Sequence, residues 1–244
     1  MKTNPVTILL PDMRGVGFGR YGIGNFKLGF GVYTYSRLAG AQATCPGATP
    51  ECEEICYAKR IEGPVQDVYA QNSWDDGVPP IPAECKLLRI HVSGDFTTVG
   101  YVKNWMKRLG ERPDVLAWAY TRSWRVPRLV PILEELRAMP NIELFASMDP
   151  SKPDDAPPAG WRRAWIYRDT PHHGWPKESR LHFVRNRIMD PGPRLPTDRN
   201  MIADDGVALA PAYVCPEETG HKQNCIECGY CFEGRRHDVV FLEH

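Results

Sequence analysis

The sequence predicts one α/β domain built as a partial or distorted (βα) barrel, TIM-barrel-like, with cysteine-rich loops. Three observations lead there. Between Lys86 and Met148, short apolar runs alternate with helical patterns, the signature of βα units and a parallel sheet. Each run ends on polar residues, namely Ser93-Gly94-Asp95, Thr121-Arg122-Ser123 and Ser147-Met148-Asp149. Right-handed crossovers put those ends on one face, where barrels and open α/β sheets keep their sites. The chain has 244 residues, 42% of them hydrophobic, enough for a sizeable core and a length that suits one α/β barrel as well as two smaller domains. Composition does not break along the chain, so residues 1–244 read as one domain, with 215–231 a cysteine-rich metal-binding segment inside it.

Lys27 to Tyr35 reads as the first strand, and Pro50 to Arg60 and Val65 to Trp74 as helical. KLLRIHVSGDF, from Lys86, is a strand and its polar turn. From Thr97 to Leu109 a helix follows, because Val99, Val102, Trp105, Met106 and Leu109 fall near helical spacing. Asp114 introduces the strand VLAWAYT. Val126 to Met139 repeats the helix pattern with Leu129, Ile132, Leu133 and Leu136, until Pro140-Asn141 stops it before IELFASM. The second half is less regular: a proline-rich stretch, Asp149 to Pro158, replaces a helix. Strands are expected at Arg163 to Arg168, Leu181 to Arg185, Val207 to Val214 and Asp238 to Leu242. The glycine-rich GVGFGRYGIGNF lacks the strand and helix that flank a dinucleotide loop and reads as flexible.

Thirty Lys+Arg against 30 Asp+Glu give zero formal net charge, which speaks against a broad basic face for nucleic acid. The apolar run Val6 to Leu10 is too short for a signal-peptide core or for the ~20 residues that span a bilayer, so a cytoplasmic protein with no membrane partner is expected.

The eight cysteines are grouped. Cys45, Cys52 and Cys56 lie in one short segment; Cys215, Cys225, Cys228 and Cys231 lie in another; Cys85 stands alone. In a reducing compartment such groups read as metal or cluster ligands. The tight Cys225, Cys228, Cys231 run with the more distant Cys215 suits an iron-sulfur cube, since closely spaced thiolates on a winding backbone each reach a different iron. Zinc, which also takes four thiolates, is the alternative metal. The first group offers three thiols and leaves a fourth position open to a small molecule; the alternative is a saturated structural site completed by another thiol. Cys85, at the opposite end of its strand, reads as a small buried thiol.

Asp95, Arg122 and Asp149 follow successive strands on the expected functional face, the competing role for either aspartate being a helix cap or turn. Tyr35 and Ser36 end the first strand, where they would meet a bound cofactor. His91 alternates within its strand and reads as a hydrogen-bonded core histidine. WRRAWIYRD with Arg180, Arg185 and Arg187 interleaves cations and aromatics as single-strand nucleic-acid binders do, but strand alternation equally makes a solvated basic face.

TYSRLAG, TCPGA, CEEICYA, SGDF, AYTRSW, ASMD, CPEETGHKQNCIECGYC and VVFLEH together resemble the phage domain family called gene product eighty-eight, over nearly the whole chain. That resemblance implies a phage protein acting in the cytoplasm of an infected host cell. More distantly the layout is similar to radical S-adenosylmethionine enzymes, whose partial barrels hold three cluster cysteines after strand one and a Gly-Gly-Glu-like turn after strand two. Ser93, Gly94 and Asp95 occupy the place of that turn, which in those enzymes binds the methionine amino group. Cys45, Cys52 and Cys56 leave six and then three intervening residues, where those enzymes leave three and then two. The expectation is an iron-sulfur protein with one or two [4Fe-4S] clusters, S-adenosylmethionine as the trial cosubstrate, and redox or radical chemistry. The alternative is a non-enzymatic phage protein that uses iron-sulfur or zinc sites structurally or as redox sensors while binding a host protein or nucleic acid.

Overall fold

The computed structural model describes residues 21–148, 152, 155–167, 200–202, 208–218, 222–234 and 238–242. Its strands are β1 (Gly22–Ile23), β2 (Val32–Tyr35), β3 (Leu87–Ile90), β4 (Leu116–Thr121), β5 (Ile142–Ser147), β6 (Arg162–Tyr167), β7 (Asn200–Ile202), β8 (Ala208–Val214) and β9 (Asp238–Leu242). They form one sheet in the order β1-β2-β3-β4-β5-β6-β9-β8-β7. All neighbours from β2 to β8 in that order are parallel, while β1 and β7 pair antiparallel at the two edges. The mixed, mostly parallel α/β fold is therefore present. Among the described residues TIM-like closure is not, because β1 and β7 are edges there and β9 inserts between β6 and β8. The proline-rich stretch after β5 breaks the run of βα units that a sequential barrel requires.

Helices α1 (Pro50–Ile55), α2 (Pro64–Gln71), α3 (Val99–Glu111), α4 (Val130–Arg137) and the short α5 (Cys225–Cys228) complete the described elements, with 3-10 turns at Tyr57–Arg60, Ser123–Arg125 and Pro127–Leu129. Two of these helices show plainly what sets their ends. The Thr98 hydroxyl accepts from the Tyr101 N–H at 3.0 Å and starts α3. Asn224 likewise accepts from Glu227 N–H at 3.0 Å, and Gly229, at φ +69°, closes α5 in a conformation that glycine adopts cheaply.

Strand alternation assigns the two faces of the sheet different covers. On one face Leu88, Ile90, Ala117, Ala119, Leu144 and Ala146 pack against α3 and α4 through Tyr101, Val102, Trp105, Leu109, Leu133 and Leu136. Each large aliphatic side chain buried here contributes roughly 1.5–3 kcal/mol. On the other face Val32, Trp118, Phe145, Ala164 and Val239 meet Leu28, Tyr230 and Phe232. The cysteine-rich C-terminal segment is thus the cover of the face that a closed barrel would turn inward.

The expected first strand shortens to β2, because the chain turns through 26–31, and the GVGFGRYGIGNF loop supplies the edge strand β1 within its described part. β7 was not foreseen; the expected strand at Leu181 to Arg185 lies outside the described residues. The cations of WRRAWIYRD do not form a solvated face where they are described. Arg162 is only 10% exposed at its side chain, stacks on Phe145 at 4.2 Å and pairs with Glu143 at 3.2 Å, while Arg163 pairs with Asp238 at 2.6 Å. Arg180, Arg185 and Arg187 lie outside the described residues. No helix among the described residues is long and apolar enough to cross a membrane.

Candidate metal centre

The first cysteine group sits on the C-terminal ends of β2, β3 and β4. The β2 and β3 ends are tied together: Arg37 N–H donates to Ser93 O at 2.9 Å, Ser93 Oγ donates back to Arg37 O at 2.7 Å, and Ser93 N–H donates to Ser36 Oγ at 3.3 Å. The loop then folds over this junction at two points where backbone must approach closely. A Cβ on Gly94, whose φ is +82°, would lie 2.6 Å from Thr44 Oγ1 and 2.8 Å from Arg37 Cβ. A Cβ on Gly47 would lie 2.0 Å from the Arg122 carbonyl oxygen. Glycine is the residue that permits such contacts. Thr49 caps α1 by accepting from Cys52 N–H at 3.2 Å, so α1 carries Cys52 and Cys56 follows its end. Cys45 Sγ accepts from Gly40 N–H at 3.4 Å. Burial, then the Asp95 charge, then Cys52 and Cys56 push the Cys45 thiol up to about 12. The Ser93-Gly94-Asp95 turn and the three thiols are therefore brought together.

Asp95 is buried and fully engaged. Oδ1 accepts from the Thr121 hydroxyl and from Phe96 N–H at 2.8 Å; Oδ2 accepts from Arg122 N–H at 2.7 Å and Ser123 N–H at 3.2 Å. Four donors fill the acceptor capacity of a carboxylate. Burial pushes its pKa up against the pull of those donors. Its cap is on the 3-10 turn after β4, rather than on the helix that follows it in sequence, so it positions the strand ends. Arg122 contributes its backbone to this knot and reaches Met148 O at 3.5 Å with its guanidinium. Asp149 lies outside the described residues. Tyr35 is placed elsewhere: its ring is in the helix-side core, 5.1 Å from Trp105, and its hydroxyl donates to Gly77 O at 3.4 Å. His91 is the core histidine expected, with Nε2 2.8 Å from the Tyr101 hydroxyl, although it holds φ at +61°. Burial, aided by Arg37 and Arg89, keeps its pKa well below the usual value. Cys85 is buried in that same core at the start of β3.

Cys225, Cys228 and Cys231 of the second group pack on the sheet face away from α3 and α4. Cys215 follows β8, its N–H donating to Val240 O at 2.8 Å, and Cys225 N–H donates to Lys27 O at 2.9 Å. The Tyr120 hydroxyl donates to Cys231 Sγ at 2.8 Å. Burial foremost pushes Cys225 up to about 11, Cys231 up to about 12 and Cys215 higher still, with charges from within the group adding to each. Thiols held protonated in this way would have to give up their protons before they could ligate a metal. Cys215 Sγ and the carboxylates of Glu217 and Glu218 lie within 4.8 Å of one another, and Lys27 pairs with both glutamates. Among the described residues no other three Cys, His, Asp or Glu donors are that close. Thiolates held about 2.3 Å from one zinc would stand about 3.8 Å apart. Among the described residues no three thiols of either cysteine group lie within 4.8 Å of one another.

Sequence reasoning missed Arg89, Tyr120, Glu217 and Glu218. Arg89 is the polar member of an otherwise apolar strand, a signal that could have marked the inward face; Tyr120 carried none, because an aromatic in LAWAYT is ordinary.

The family description Gene product 88 matches residues 80–234, from before β3 through the end of the second cysteine group. The chain is 26% identical over 234 residues to the Gene 88 protein of Mycobacterium phage L5, covering 83% of each chain. It is 28% identical over 142 residues to the Gene 88 protein of Mycobacterium phage D29, covering 48% of this chain and 57% of that protein. No solved structure matches. With the match running over well above half of its length and holding both the Ser93-Gly94-Asp95 turn and Cys215 to Cys231, the chain belongs to the phage gene product 88 family.

Proposed function

We propose that this chain is an iron-sulfur protein of the infected host's cytoplasm with two separate cysteine-held centres. Cys45, Cys52 and Cys56 would hold a cube with one corner free of protein thiolate, and Cys215, Cys225, Cys228 and Cys231 a closed one. The observation that carries this reading is the gathering of the thiols in two separate places, one group at the C-terminal ends of β2, β3 and β4 and the other on the sheet face away from α3 and α4. The free corner would face the Ser93-Gly94-Asp95 turn and take a small cosubstrate with nitrogen and oxygen donors, for redox or radical chemistry. One observation favours a second, non-enzymatic reading with structural or redox-sensing clusters: Asp95 has no acceptor capacity left for a ligand's amine. Anaerobic purification with iron and acid-labile sulfide analysis tests the shared part, and stoichiometric zinc without sulfide would overturn it. Added S-adenosylmethionine separates the readings. A changed electron paramagnetic resonance signal supports the open corner, and an unchanged one at saturation, with the cluster intact, leaves the non-enzymatic reading.

A further inference from the structure

We propose that Arg89 and Tyr120 form an electrostatic wall for the C-terminal cysteine centre that holds its reduction potential up, making that centre an electron-transfer site. This rests on the iron-sulfur reading.

Arg89 stands in β3, opposite Trp118 of β4 in register, on the face covered by the cysteine segment. Its guanidinium lies 4.1 Å over the Tyr120 ring, and its Nε is buried with no hydrogen-bond partner. Among the described residues no carboxylate pairs with it. A cation taken from water needs an opposite charge nearby. The ring that Arg89 covers carries the hydroxyl that meets Cys231, and Cys225 and Cys231 pack against the same cluster as Tyr120. Thiolates on a cluster would be the missing counter-charge. Tyr120 adds a direct contact, its hydroxyl donating to Cys231 Sγ at 2.8 Å.

Hydrogen bonds to ligating sulfur and nearby positive charge both favour the state with one more electron, and such outer contacts set the potential of clusters with identical ligands. The step is uptake of one electron from a low-potential one-electron donor, with no bond made or broken. Arg89 and Tyr120 meet the added negative charge.

The test is a redox titration of the anaerobic full-length protein, with dithionite as donor and iron and sulfide measured on the same samples. Arg89→Gln should lower the reduced-to-oxidised ratio at fixed potential about tenfold, a shift of about 59 mV for a one-electron couple. Tyr120→Phe should shift the same wave in the same direction, and Arg89→Lys, which keeps the charge, should stay nearer to the wild type than Arg89→Gln. If Arg89→Gln does not load, Tyr120→Phe decides, since it removes only the hydroxyl. Unmoved waves at wild-type iron and sulfide content would overturn the inference and leave the iron-sulfur reading standing. A wild-type protein without sulfide would overturn both.

Discussion

Replacing Asp95 by Asn separates a residue that holds the strand ends together from one that greets a ligand. The carboxylate receives four donors, three of them backbone N–H groups. An asparagine keeps one acceptor oxygen. In its better orientation that oxygen stays with Arg122 and Ser123, and the Thr121 hydroxyl turns to accept from the new amide. Phe96 N–H then loses its acceptor, and an unsatisfied buried donor costs about 1–3 kcal/mol. The surviving bonds also lose their charge assistance, while burying a neutral group in place of a carboxylate, whose pKa is already raised by burial, offsets part of the loss. The expected net is a destabilisation of about 2 kcal/mol, which for a chain of this size lowers Tm by about 4–8 °C. Thermal melts of wild type and Asp95→Asn, with metal content matched, read it directly. A variant that melts with the wild type but no longer responds to an added small ligand would refute the positioning role and restore Asp95 as a ligand contact.

Gly47→Ala should displace the first cysteine loop, because its Cβ would meet the Arg122 carbonyl at 2.0 Å, and overpacking of this kind costs about 1–3 kcal/mol. Faster reaction of Cys45 with a thiol reagent checks it, and Gly110→Ala in α3, with nothing within 4 Å, is the control expected to stabilise slightly. The third prediction concerns acid. His91 stays neutral in the fold while the unfolded chain takes up its proton below about pH 6.5, so the unfolded state binds more protons and stability falls as pH drops, at about 1.4 kcal/mol per unit. His91→Asn, which tolerates φ +61°, should remove about 2 kcal/mol of the loss between pH 6.5 and 5, and equal urea midpoint shifts in both proteins would sink the idea.

The sequence by itself determined the parallel α/β core, because period-2 and period-3.6 apolar patterns between Lys86 and Met148 leave one way to bury both. It also determined which thiols group together and which strand ends carry polar turns, since these are local facts of spacing. Only the tertiary structure decided that β9 inserts between β6 and β8, leaving the sheet open among the described residues, because strand order depends on long-range pairing that local propensity does not encode. It sent Tyr35 to the helix-side core while Ser36, next in the chain, ties the strand ends, a difference that follows from the alternation of side chains once the register with β3 is fixed. It saturated Asp95 with donors from the loop after the following strand. And it laid the second cysteine group against Arg89 and Tyr120, more than a hundred residues earlier in the chain, since a sheet face left without helices must be covered by whatever apolar segment remains, here the one that carries the thiols.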